Sequence, residues 1–376
     1  MAIEIRYANL DEYPQISQFI DNHWAKNHVY TRERELFDWT FHRPGHWGPD
    51  KYSLTVAVDG NELVGILGGI PFTLNQFGKT SKGIWIVNYV IRYDYRRGAT
   101  ALQLLSSFRR QFAAVVAFGI NPATVAIYQV LRGQVLPEIP RHILTMPGQA
   151  KRMARTLRIA SPDWRDERIR DLSSSFEFRD LPVPPTRYGL TLPSNWDERD
   201  WPEHALSTLG AARDYDYLDW RYRRHPLFRY EFVTVEEGNK TGLAVWRRET
   251  IRTETPRGLE DIDCIARLVE FLPSSRANAE PLFAAFLAEA ARGGVMAADF
   301  YGYHGQTREW LQEVGFRMSD THADGPCFPS RFQPLDGKGG GILSAIFLQD
   351  SAIPCSTDSQ CPWYWTKSDS DQDRPN

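Results

Sequence analysis

Apolar positions recur along this chain with two periods, and the switches between them mark its elements. Ile84 to Ile91 is a run of apolar, aromatic and β-branched residues, the pattern of a mostly buried strand. It ends at Arg96-Arg97-Gly98, and from Ala99 apolar residues return at helical spacing at Ala101, Leu102, Leu104, Leu105, Phe108 and Phe112. A short apolar strand, Ala114 to Phe118, then runs into Asn121-Pro122 and a helix that carries Tyr128, with Gly133 beyond its end. Upstream, Ile3 to Tyr7 reads as a strand, and a helix opens at Leu10-Asp11 with Ile16, Phe19 and Ile20 on one face. A second helix lies near Arg32 to Thr40, and two strands follow, joined as a hairpin at Asp59-Gly60-Asn61. Arg141 to Thr145 reads as the strand that closes this half.

Part of the pattern then returns. Leu36-Phe37-Asp38-Trp39-Thr40-Phe41 is echoed by Tyr217-Leu218-Asp219-Trp220-Arg221-Tyr222. The strands after it match as well: Val56, Val58 and Gly65 correspond to Val233, Val235 and Gly242. A repeat at domain-sized spacing predicts a duplicated domain. The second copy continues through the strand ending at Leu272, the turn Pro273-Ser274-Ser275-Arg276, a helix stopped by Gly293-Gly294, a strand Val295 to Phe300 and a helix Thr307 to Val314. Its turn holds no glycine, so the reading places a cofactor in the first copy. Between the copies, residues 146–194 are basic and then proline-rich, as in a linker or surface arm, with a charged helix near Lys151 to Ile159 leaning on the first domain. Near the C-terminus, ILSAIFL reads as a strand, and Trp363-Tyr364-Trp365 precedes a polar, acidic end.

Composition narrows the chemistry. With 376 residues, 42% hydrophobic, the chain is long enough for two cores. Its net charge of −3 gives no support for a nucleic-acid or membrane-surface footprint. The start lacks the pattern of a signal peptide, and no apolar run could span a bilayer, so a cytoplasmic protein is expected. The four cysteines follow no metal-ligand spacing, although Cys355 and Cys361 could close a small disulfide loop, and the histidines form no ligand cluster. No metal is expected.

A strand that turns through Arg-Arg-Gly into a helix leaves free backbone N–H groups flanked by guanidiniums, a site suited to phosphate or pyrophosphate. Together with the Asn-Pro-opened helix carrying Tyr128, this resembles the GNAT superfamily of acyl-CoA-dependent N-acyltransferases. In that family the glycine-rich turn after the fourth strand grips the pyrophosphate of coenzyme A, and the helix after the fifth strand carries a tyrosine. The window Tyr95 to Thr100 departs from the family pattern in having Tyr at its first position and Thr at its second glycine. The resemblance implies an α/β fold of the α+β type, made of two tandem GNAT-like domains, each a mixed, mostly antiparallel sheet flanked by helices. Residues 1–150 would form the domain with the acyl-CoA site, 151–200 a linker, and 201–376 a degenerate second domain whose C-terminal extension reaches the acceptor cleft.

What the family does residue by residue carries over as follows. Asn88, Val90, Arg92, Arg96, Arg97, Gly98, Ala99, Thr100 and Ala101 would hold acetyl-CoA or another acyl-CoA. Tyr128 would protonate the leaving thiolate, and Asn121 would orient the acyl group or serve only as a helix cap. Many relatives carry a base on the fourth strand, where this chain offers Asn88 and Tyr89, so His304 or Asp299 of the second copy are the candidates. In length, paired Asp-Trp segments and the Asp-Gln-Asp-Arg-Pro-Asn ending the chain resembles bacterial nucleotide-sugar N-acyltransferases. These acylate the amine of a dTDP- or UDP-linked amino-deoxy sugar for surface glycans. On that reading Trp363 and Trp365 stack on base or sugar, Asp369 binds hydroxyls or the amine, and the acyl group is acetyl or 3-hydroxyacyl. The reading calls for no nucleic-acid or membrane partner and allows a homodimer. An aminoacyltransferase like the FemABX proteins, drawing on aminoacyl-tRNA, or a non-catalytic GNAT-fold binding protein are the alternatives.

Overall fold

The computed structural model describes residues 3–43, 45–96, 98–319, 321–322, 325–326, 328–329, 331–337, 341–349 and 361–375. The first half runs β1 (Glu4–Asn9), α1 (Tyr13–His23), α2 (Val29–Arg32), α3 (Arg34–Phe41), β2 (Lys51–Asp59), β3 (Glu62–Gln76), β4 (Lys79–Ile91), α4 (Thr100–Arg109), β5 (Ala114–Ile120), α5 (Val125–Val130) and β6 (Gln134–Leu136). After β7 (Arg141–Thr145) come α6 (Ala150–Ala160), α7 (Asp166–Ser175), α8 (Trp196–Arg199), α9 (Trp201–Ser207), β8 (Leu209–Ala211) and α10 (Tyr215–Leu218). The second half then repeats the order of the first, with β9 (Glu231–Glu237), β10 (Lys240–Thr255), β11 (Gly258–Leu272), α11 (Arg276–Arg292), β12 (Ala297–Tyr301), α12 (Gly305–Glu313) and β13 (Arg317–Met318).

Two mixed sheets result. The first is ordered β1-β2-β3-β4-β5, then the C-terminal strand Leu343–Leu348, then β6, with β8 attached to β3. The second is ordered β13-β7-β12-β11-β10-β9. Each sheet has one parallel pair at the matching place, β4 with β5 and β11 with β12, and is otherwise antiparallel. Leu104, Leu105 and Phe108 of α4 pack on Ile84, Ile86 and Val115, while α1 and α3 cover the opposite face with Ile16, Phe19, Phe37 and Phe41. In the second half α11 supplies Leu282, Phe283 and Phe286 to its own core.

The halves exchange strands. Arg141–Thr145, expected to close the first half, pairs instead with β12 of the second sheet from Ala297↔Thr145 to Tyr301↔Arg141. Pro137 and Pro140 lie between it and β6, and neither can donate to a ladder, so the chain leaves the first sheet there. The gap is filled from the far end of the chain: Leu343–Leu348 lies antiparallel to β5 and also pairs β6. The echoed segments meet at the junction, where Trp39 stacks on Trp220 with centroids 4.7 Å apart and Arg43 lies over Trp220 and bonds Asp216 at 2.7 Å. Residues 150–175 form two helices, not an arm, and the helix expected to lean on the first domain packs on the second sheet. Met153, Leu157, Ile169 and Leu172 bury themselves against Ile251, Ile265 and Met296. Cys355, the suggested partner of Cys361, lies outside the described residues.

Candidate active site

The parallel pairing of β4 with β5 holds only from Gly83↔Ala114 to Ile86↔Ala117. Beyond it the strands part. The cause on the β4 side is a bulge, because Gly68 faces Val87 while Ile66 faces Val90, which leaves one extra residue in β4. Asn88 sits in that bulge at φ +51, a left-handed conformation that Asn tolerates better than most residues. A cavity of about 300 Å³ opens between the separated strands, bounded by Asn88, Tyr89, Phe118, Asn121, Tyr128 and the C-terminal residues Asp371, Gln372 and Arg374.

Asn88 is the informative residue. It is 7% exposed, and neither its amide nitrogen nor its oxygen has a hydrogen-bond partner among the described residues. An amide so buried costs roughly 1–3 kcal/mol per unpaired group, so its natural partner is a bound molecule with its own amide or carbonyl. Tyr128 is half-buried on α5, and burial pushes its hydroxyl up to about 12. It therefore stays protonated at physiological pH and is suited to donating. Tyr89, whose hydroxyl burial also raises, donates to the Ala101 carbonyl and so ties the cavity to the first turn of α4. Asn121 lines the cavity while its side-chain oxygen accepts from Ala123 N–H at 2.9 Å, the helix-cap role that its place before Pro122 allows.

The start of α4 is open and has no side-chain cap. Its cap residue Ala99 makes no side-chain cap, so the N–H groups of Thr100, Ala101 and Leu102 have no intrahelical partner. A Cβ on Gly98 would meet nothing closer than the Tyr95 carbonyl at 3.7 Å, so the turn is open on that side. Of the other residues named for the cofactor, Arg96 bonds the Ile91 carbonyl at 3.1 Å and lies beside the Tyr93 ring. Arg92 is tied on the surface to Asp94 and Glu62 at 2.9 Å each. Val90 is buried within the strand, and Arg97 lies outside the described residues.

The residues chosen from the second half are not brought to this cavity. His304 stands just before α12, its ring hydrogen-bonded to the Thr307 hydroxyl at 2.9 Å and packed edge-on against Tyr364, and burial lowers it to about 4. Asp299 is locked between Arg141 at 2.7 Å and Arg267 at 3.2 Å. Trp363 and Trp365 are fully buried, with ring centroids 4.5 Å apart. Asp369, also fully buried, accepts from Arg213 at 2.7 Å and from Tyr217. These three anchor the tail, and its delivery to the cavity falls to residues just beyond them. Gln372 donates to the Phe118 carbonyl at 3.0 Å and fills the space where a side chain on Gly119, at φ +80, would be. Asp371 is 6% exposed and pairs with Arg374. At the mouth stands Trp24, 42% exposed. Sequence reasoning brought the acidic end back to the cleft and missed these residues, because register along an irregular tail has no periodicity to read.

No protein-family model and no curated protein sequence matches the chain. Solved structures do. A GCN5-related N-acetyltransferase from Anabaena variabilis superposes with a TM-score of 0.55 at 11% identity, over 93% of this chain and 73% of that one. A probable N-acyltransferase from Enterococcus faecalis gives 0.53 at 12% identity, over 93% and 72%. Saccharomyces cerevisiae N-myristoyltransferase, with myristoyl-CoA bound, gives 0.51 at 15% identity, over 92% and 82%. Across nearly its whole length the chain has the two-sheet α/β fold that these proteins share.

Proposed function

We propose that this protein is an acyl-CoA-dependent N-acyltransferase with one active site, at the parting of β4 and β5. The observation that carries the reading is the buried Asn88 amide, without a partner among the described residues, on the same cavity as Tyr128 and next to a helix N-terminus that has no side-chain cap. Pyrophosphate suits the α4 terminus, and the amides of a pantetheine arm suit Asn88. The thioester supplies an activated carbonyl carbon. An amine nitrogen attacks it, the carbon–sulfur bond breaks, and the sulfur leaves as a thiolate. Tyr128 gives that thiolate its proton. The proton lost by the amine goes to the Asp371 carboxylate, which lines the cavity. Arg374 holds that carboxylate in place.

For the acceptor we propose the amine of a nucleotide-linked amino-deoxy sugar. Its support is the exposed indole of Trp24 at the cavity mouth, a face on which a base or sugar can stack. Trp363, Trp365 and Asp369 lend it none, since all three are built into the core. The test is release of free thiol from acetyl-CoA and longer acyl-CoAs against a panel of dTDP- and UDP-amino sugars and of amines without a nucleotide. The reading expects nucleotide-dependent release. Asn88→Gly, which keeps the backbone conformation and removes the amide, should lower kcat/KM about tenfold or more, the worth of one lost hydrogen bond. Release with simple amines alone would remove the sugar half of the reading, and no release with any pair would remove the enzyme.

A further inference from the structure

Duplication gives the second half its own version of the β4–β5 cleft. β11, the turn Pro273–Ser275, α11, β12 and α12 stand where β4, its turn, α4, β5 and α5 stand in the first half. A cavity of about 250 Å³ persists there, lined by Pro273, Ser275, Gln306 and Trp310 and roofed by Asp200 and His204 from α9 and its approach. Its lining, however, has changed character.

The cations at its rim are already engaged. Lys240 pairs with Glu203 at 2.6 Å, Arg276 with Glu313 at 2.6 Å, and Arg199 donates to Thr241. With Asp200 and Glu203 in the wall, the cavity is no trap for a pyrophosphate. What it offers is a deep acceptor. The Asp200 side chain is 1% exposed; its Oδ1 accepts from the Thr241 N–H at 2.7 Å, and its Oδ2 is ion-paired with Arg199 Nε at 3.5 Å, neither of these two atoms having a hydrogen bond among the described residues. Trp310, half-buried on α12, contributes an indole. A buried carboxylate oxygen, a guanidinium N–H, an exposed amide from Gln306 and an aromatic face make the set that recognises a neutral ring carrying hydroxyls.

We propose that this second cleft is a binding site for a single pyranose ring, with hydroxyls on Asp200 Oδ2 and Arg199 Nε and one face of the ring on Trp310. The cavity, about 250 Å³, has room for one sugar ring. The site stands apart from the acyl-transfer cavity, so it does not depend on the reading given to that cavity.

Saturation-transfer NMR on the full-length protein tests it, with glucose, galactose and N-acetylglucosamine each at millimolar concentration. Transfer to the ring protons of at least one is expected, unaffected by added coenzyme A. Asp200→Asn should weaken it about tenfold, the worth of a hydrogen bond to a charged group. Trp310→Leu, which keeps apolar cover over α11, should abolish it, and an unchanged melting temperature in both variants would show that the fold is retained. No transfer from any of the three sugars would overturn the proposal. So would transfer displaced by coenzyme A, or transfer that survives in both folded variants.

Discussion

At the scale of single residues, the account turns on polar groups placed where water cannot serve them. Asn88 has an unusual backbone angle, a bulge around it and an amide with no protein partner, three departures from ordinary strand structure at one position. Such departures are retained where a bound molecule makes them good. In the proposed mechanism Tyr128 is the proton donor beside it. Tyr128→Phe should lower kcat by about 100-fold, within the usual range for one general acid, and leave the affinity for acyl-CoA unchanged. Because burial holds Tyr128 up at about 12, wild-type kcat should show no alkaline fall below about pH 10 from this group. Stopped-flow and steady-state kinetics in matched buffers check both points. Full turnover by the Phe variant would make Tyr128 a packing residue.

At the scale of elements, strands and tail hold the site together. The tail is fastened by buried ion pairs: Asp373 takes three hydrogen bonds from Arg247 and one from Tyr230, and Asp369 shares Arg213 with Glu270. Arg247 pulls Asp373 far below the usual carboxylate range, and Arg267 with Arg141 hold Asp299 down at about 2. Groups whose folded values are depressed in this way stabilise the fold above the unfolded value of about 3.9 and lose that contribution as pH falls. Glu270, which burial raises, works in the opposite sense. Urea unfolding should therefore show stability falling between about pH 4 and pH 2, and Asp373→Asn should cost about 3 kcal/mol at pH 7 by leaving Arg247 underpaired. A flat acid limb together with a neutral Asn variant would mean that these pairs contribute nothing net. The regular elements of this scale were legible beforehand: Ile84 to Ile91, the α4 stripe, the Asp-Gly-Asn hairpin and ILSAIFL all carried their period in the sequence. Which sheet each strand joins was not, since β7 is a five-residue mixed run and Leu343–Leu348 an apolar one, neither specific to one core, and long-range pairing leaves no local mark.

At the scale of the whole molecule, the strand exchange makes the two halves one folding unit. Residues 1–150 expressed alone would lack the strand that sits between β5 and β6 and would carry β7 without its partner β12. That fragment is predicted to give no cooperative thermal transition by circular dichroism, whereas a sharp transition would restore an independent first domain. The repeat in the sequence announced the duplication, and the glycine-free second turn announced that the halves had diverged. The tail's contribution was only half visible, because acidic and aromatic residues near a chain end look alike whether they anchor or act. The central claim remains that the cavity between β4 and β5, with the N-terminus of α4, is an acyl-CoA site. It is tested most directly by isothermal titration of the full chain with coenzyme A and acetyl-CoA, repeated on Gly98→Ala and Gly98→Glu. Since a Cβ fits at Gly98 without contact closer than 3.7 Å, the account predicts binding by wild type and the Ala variant alike. It predicts loss of about tenfold or more in the Glu variant, whose charge opposes the pyrophosphate. No heat of binding in the wild type, or equal affinity in all three proteins, would contradict it.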